Sequence, residues 1–204
     1  MNPRVLKRFV VYMIVFILLV VIGTDLVRSY VTRVPGDYHT ERGDQLLSAG
    51  DLKGALDEFD LALRDEPDHR GAIMGRALVF IQSERFEDAE VELDYLIDFL
   101  NRNLEADDQT GRGALAAAHA NRGIVHDRQG RHEEALADYI EALTIDEGAV
   151  AEPGIIHELL YKQTGPVSSV VDRARYLYEQ FQLPEEQRLL AVPELDAEQR
   201  MFKP

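Results

Sequence analysis

The chain has 204 residues, with six histidines, 37 acidic residues and no cysteine, and these bound the chemistry open to it. Without cysteine there is no disulfide, no thiolate nucleophile and no Cys-type zinc site. His119 and His126 stand two turns apart on one helix face, but a helical zinc site needs histidines at i and i+4, so no metal is expected. Glu133-Glu134 opens an expected helix, where paired carboxylates serve the N-terminal dipole better than acid–base work. Gly111-Arg112-Gly113 lacks both the lysine and the preceding strand of a phosphate loop. No catalytic residue and no cofactor is expected, and the chain reads as a non-enzyme.

With chemistry set aside, the elements come forward. Phe9 to Thr24 reads FVVYMIVFILLVVIGT, sixteen residues without a charge. At 1.5 Å per residue that is about 24 Å, and Val5, Leu6 and the snorkelling Lys7 and Arg8 bring it near the ~30 Å of a hydrocarbon core. Residues 1–24 therefore read as a single N-terminal transmembrane helix. The rival is a cleaved signal peptide with Val21 and Gly23 before the cut, but the core is long and β-branched and no Ala-x-Ala is present. Arg4, Lys7 and Arg8 precede the span, whereas Arg28 and Arg33 behind it are offset by Asp25 and Asp37. That bias puts the N-terminus in the cytoplasm and the rest across the membrane, which for an inner membrane means the periplasm.

Residues 25–37 read as a linker punctuated by Pro35-Gly36. Beyond it a pattern recurs. Gly43, Leu46, Gly50, Ala55, Phe59, Ala62 and Pro67 return 34 residues later as Ala77, Phe80, Glu84, Ala89, Leu93, Leu96 and Asn101. A further shift of 46 gives Gly123, His126, Gly130, Ala135, Tyr139, Ala142 and Glu147. Such a period marks a stack of helix pairs. In the first pair, helix A covers about 38–48, Gly50-Asp51 turns, and helix B runs about 52–65 to Pro67. Glu84 replaces the turn glycine in the second, where a looser or slightly different turn is expected. An insertion near 104–115 extends helix B of the second pair and then forms a polar loop over Glu105 to Gly113. After residue 150 the pattern decays. A helix from Pro153 to about Gln163, stopped by Gly165-Pro166, and another capped by Ser168 or Ser169 with the stripe Val170, Ala174, Leu177, Tyr178 and Phe181, read as a divergent fourth pair. The solenoid thus occupies 38–183, and 184–204 form a short capping helix and a tail. The tail's Val192, Leu195, Met201 and Phe202 are more apolar than a free tail needs, so it is expected to dock.

These positions resemble the tetratricopeptide repeat, and the fold class expected is all-α: one transmembrane helix, then an α-solenoid of three recognisable helix pairs and a divergent fourth. The resemblance implies that A helices line a concave, partner-binding groove. Its expected lining is Thr40, Asp44 and Leu47 from the first pair, Met74, Leu78 and Ile81 from the second, and Asn121, Ile124, Asp127 and Arg128 from the third. Family members that dock chaperones clamp a carboxylate with lysine and asparagine in the first two A helices. The matching positions here are Thr40, Asp44 and Gly75, which cannot do so.

Residues 36–204 hold 17 basic and 36 acidic residues, a balance of −19. That disfavours nucleic acid and anionic lipid headgroups and suits a partner with basic and apolar segments. The expected function is a membrane-anchored protein–protein interaction scaffold assisting assembly or stability of a membrane or envelope complex. The alternative is a permanent accessory subunit of an electron-transfer type membrane complex, held through its transmembrane helix.

Overall fold

The computed structural model describes residues 3–31, 34–150, 169–192 and 201, and among them there are helices and turns but no strand. The helices are α1 (Pro3–Val31), α2 (Asp37–Ser48), α3 (Leu52–Asp65), α4 (Arg70–Gln82), α5 (Phe86–Asn103), α6 (Gln109–Arg128), α7 (His132–Val150) and α8 (Val170–Phe181), followed by a 3-10 turn at Glu185–Gln187. The expected helix at 153–163 lies outside the described residues.

The α1 backbone is helical for 29 residues. It passes through Asp25–Val31, expected as linker, because that stretch contains no glycine or proline to stop it. Among the described residues no helix is long and apolar enough to cross a membrane. The side chains described in α1 are those of 8–24, about 26 Å of helix.

From Asp37 onward the helices pair as α2/α3, α4/α5 and α6/α7, and each B helix also packs on the next A helix, α3 on α4 and α5 on α6. Aromatic rings set the crossings. The buried Phe59 of α3 lies where a Cβ on Gly43 would come within 2.5 Å of its ring and a Cβ on Gly75 within 2.3 Å. Tyr139 of α7 fills the same role against Gly123, at 2.6 Å. One ring therefore locks its own A helix, and in the first pair also the next.

The three A-to-B turns share one geometry. Gly50 and Gly130 have φ of +80° and +79°, and Glu84 adopts φ 56°. Each turn carries the same backbone bonds: Gly50, Glu84 and Gly130 donate to Leu47, Ile81 and Asp127, and the following residue donates to Leu46, Phe80 and His126. The looser turn expected at Glu84 is not found. The two helices it joins impose the left-handed conformation despite the Cβ.

The insertion also departs from expectation. The polar loop is confined to 104–108, and Gln109–Gly113 are already the first turns of α6. Asp108 caps that helix, accepting from the Gly111 amide at 2.7 Å. A Cβ on Gly111 would meet the side-chain ends of Leu104 and Asp108 at 2.4 Å, so both pack onto bare backbone there. The extra residues thus lengthen α5 and α6, and the buried Leu100, Ala114 and Leu115 extend the core between them.

Backbone at Asp146 is extended (φ −157°, ψ 92°), so α7 kinks near its end. Ser169 caps α8, its Oγ accepting from the Asp172 amide at 3.1 Å, and Val170, Ala174 and Leu177 are buried against α7 as the stripe requires. Tyr178 is exposed instead, and the buried face carries Arg173.

Candidate protein-binding groove

A row of ion pairs holds the helix pairs in register, and it repeats with them. Arg42, Arg76 and Arg122 occupy one position in successive A helices, and Glu58, Glu92 and Asp138, sixteen residues on, occupy one position in the B helices. Arg42 pairs with Glu58 at 2.7 Å, Arg76 with Glu92, and Arg122 with both oxygens of Asp138 at 2.7 and 2.9 Å. The second and third arginines also reach back to the preceding pair, Arg76 to Asp60 at 2.9 Å and Arg122 to Asp94 at 2.7 Å. Sequence reasoning missed this ladder, although the Arg and acid positions obey the same 34 and 46 spacing as the apolar ones.

In the third pair the ladder becomes a buried network. His119 Nδ1 lies 3.0 Å from Asp138 Oδ1. His126 Nδ1 lies 3.1 Å from Asp138 Oδ2, an ion-pair distance at an angle too poor for a hydrogen bond. Its Nε2 faces Glu90 at 3.3 Å, and Arg131 binds the same carboxylate at 2.8 Å. Burial opposes the Asp138 carboxylate, but His119, His126 and Arg122 outweigh it and hold its pKa well below the usual range. Burial likewise opposes the His126 imidazolium, yet Asp138 and Glu90 prevail over it and over Arg131, raising its pKa. His119 and His126 are thus core ion-pair residues, and among the described residues no cluster of three His, Asp or Glu could hold a metal.

The A helices touch one another directly, α2 with α4 and α4 with α6, and form the inner row of the stack. The expected groove residues lie on it, but most are not open. Met74, Leu78, Ile81, Asn121 and Ile124 are 1, 5, 0, 0 and 0% exposed, and Thr40 and Asp127 are also buried. Thr40 Oγ1 sits 3.4 Å from His69 Nδ1. Asn121 Nδ2 donates to Met74 Sδ at 3.2 Å. Asp127 accepts from Arg173 Nε and Nη2 at 2.6 and 2.7 Å, lies 2.9 Å from His132 Nδ1, and accepts from Tyr139 at 3.3 Å. Asp44, Leu47 and Arg128 are half-buried and keep surface. Of the ten residues expected to line the groove, seven are therefore packed away and three keep surface; α8 supplies Arg173 to Asp127, and Met201 packs against both larger core clusters.

A second concavity, of about 640 Å³, opens beside Val34. Phe99 and Leu100 form its apolar floor, and Glu66, Asp68, Glu105, Asp107 and Asp108 its acidic rim, with Arg70 the basic member. Arg70 pairs with Asp108 at 2.7 Å, and Tyr95 donates to Asp68. The 104–108 loop builds one wall, so the insertion does reach a candidate surface.

A stack of helix pairs whose A helices touch one another defines a class of protein, the α-solenoids that hold other proteins. Residues 40–99 and 116–148 match models of the tetratricopeptide repeat, and these segments are tetratricopeptide repeats. Neither curated proteins nor solved structures yield a match. Repeats of this type serve protein–protein interaction, and a protein partner is what this fold is built to bind.

Proposed function

We propose that the chain is a scaffold fixed to the inner membrane by its N-terminal helix, with its repeats in the periplasm, and that it assists assembly or stability of a membrane or envelope complex. The observation that carries the anchor is α1 itself: every large apolar side chain from Phe9 to Ile22 is at least 46% exposed. Leaving such a helix in water is costly at about 25 cal/mol per Å² of apolar surface, and lipid or a partner helix removes that cost. The basic residues ahead of the span, Arg4, Lys7 and Arg8, support the orientation. The acidic-rimmed cleft beside Val34, and the surface that Asp44 and Leu47 keep on the inner face, support a client segment combining basic and apolar residues. Binding alone is proposed, without catalysis or cofactor.

The test is capture in gentle detergent of the full chain beside one lacking residues 1–35, with bound proteins identified by mass spectrometry. Clients retained by both forms support a groove-binding assembly factor. A single stoichiometric membrane complex lost with the anchor would instead make the protein an accessory subunit. If the full chain partitions with the soluble fraction after alkaline extraction, the anchor reading fails.

A further inference from the structure

The repeat matches cover 40–99 and 116–148, and the cleft beside Val34 is built mostly from residues before and between them. Six of its ten lining residues, Val34, Leu100, Asn103, Glu105, Asp107 and Asp108, fall outside both matches. The inner row of A helices follows from the repeat itself. This concavity instead follows from the insertion, which lengthens α5 past Phe99 and then adds the 104–108 loop as a wall.

Its charge is one-sided. Five carboxylates and one guanidinium line it, a local balance of −4. Arg70 pairs with Asp108 Oδ2 at 2.7 Å, while Asp108 Oδ1 accepts from the Gly111 amide, so that pair frames the site and caps α6. Tyr95 donates to Asp68. Among the described residues, Glu66, Glu105 and Asp107 have no cation beside them, although all three face one concavity. Like charges gathered around a cleft raise the local concentration of visiting cations. One metal ion is not the fit, because among the described residues no three acidic or histidine side chains converge enough to hold it. Carboxylates spread in this way suit separate cations carried on one chain.

The floor adds a second requirement. Phe99 is half-buried and Leu100 buried, so an apolar side chain seated there removes surface from water. A volume of about 640 Å³ falls within the ~300–1,000 Å³ of sites for small ligands. That admits a few side chains of an extended segment and not a folded surface.

We propose that this cleft is where a client docks, and that its ligand is a short extended segment in which an apolar side chain is flanked by lysine or arginine. This rests on the reading of the chain as a scaffold for a basic and apolar client, and it moves the docking point from the inner face to the insertion. The apolar side chain seats on Phe99, and the flanking cations meet Glu66 at the end of α3 and Glu105 and Asp107 on the loop.

The test uses the full chain in gentle detergent at about 0.15 M salt, where screening acts over about 8 Å. The probe is a capped, dye-labelled hexapeptide alternating lysine and leucine, read by fluorescence anisotropy. Glu105→Lys with Asp107→Lys is expected to weaken its binding about tenfold or more, and the milder Glu105→Gln with Asp107→Asn less, in the same direction. Glu141→Lys with Glu179→Lys makes the same change in net charge away from the cleft and is expected to alter affinity by about twofold at most. All four side chains are exposed, so helicity by circular dichroism should match that of the unaltered chain. A lysine–serine hexapeptide of equal charge is expected to bind about tenfold or more weakly, for want of an apolar anchor. Equal losses from the two lysine variants would reduce the effect to net charge and overturn the proposal. Equal binding of the two hexapeptides would do the same, leaving only a sink for polycations. So would displacement of the probe by calcium at low stoichiometry, which would make the site a metal site. Absence of binding to the unaltered chain also overturns it. The broader client reading is judged separately, by capture and mass spectrometry: clients still held by the Glu105→Lys, Asp107→Lys chain would keep that reading and remove the cleft from it.

Discussion

At the residue scale, the decisive feature is a pair of charges that the apolar periodicity did not call for. Arg173 and Asp127 are 46 residues apart and their side chains are 1 and 2% exposed. Asp127→Ala strips an anionic partner from a buried guanidinium and is expected to cost about 3–5 kcal/mol, whereas Asp127→Leu with Arg173→Met should cost far less. Urea unfolding followed by circular dichroism distinguishes them, and equal losses would show that the pair acts through shape alone. The His126 network gives a pH dependence of defined sign. Its folded pKa lies above the ordinary 6.5, so its contribution is complete below that value and is lost as pH rises through the raised one. Stability should therefore fall on the alkaline side of neutrality, and His126→Gln should flatten that slope. Asp138 works oppositely: its contribution is present above about 3.9 and lost only as pH drops through its depressed value.

At the scale of elements, helix boundaries were largely legible. The first pair, 37–48 and 52–65, lies within a residue of its expected limits because Gly50, Asp51 and Pro67 are local signals. Local reasoning failed where packing overrode it. The stretch to Gly113 reads as polar loop, yet α5 offers α6 an apolar surface long enough to start that helix at Gln109. Glu84 looked like a loosened turn, yet two packed helices hold it in the glycine conformation. Glu84→Gly should consequently stabilise the protein by about 0.5–1 kcal/mol by releasing that strain. Gly75→Ala should do the reverse, at about 1–3 kcal/mol, since the new methyl meets the Phe59 ring. Thermal melts of both variants check the signs, and a neutral Gly75→Ala would mean the ring has room to move.

At the scale of the whole molecule, charge and address dominate. An acidic domain capturing a basic segment should lose affinity as salt rises, most of the effect being gone near 1 M, where the screening length is about 3 Å. Titrating a captured client with salt tests this, and salt-independent capture would leave only apolar contacts. The ladder of Arg42, Arg76 and Arg122 bears on the same scale, because each arginine after the first ties its pair to the one before. Arg76→Met should therefore lower cooperativity between the first and second pairs, seen as a shallower urea transition.

The sequence alone determined the repeat, its period, the small-against-aromatic contacts within pairs and the apolar N-terminal run, because each depends on residues near one another in the chain or on a spacing that recurs. Even the arginine ladder was present as a periodic signal, only unread. Whether the groove is open was decided by tertiary structure. Met74, Leu78 and Asn121 carry the types and positions of an exposed binding face, yet they are buried. Asn121 meets Met74 across 47 residues, and Arg173 meets Asp127 across 46, and contacts made over such distances leave no periodic trace by which a sequence could announce them.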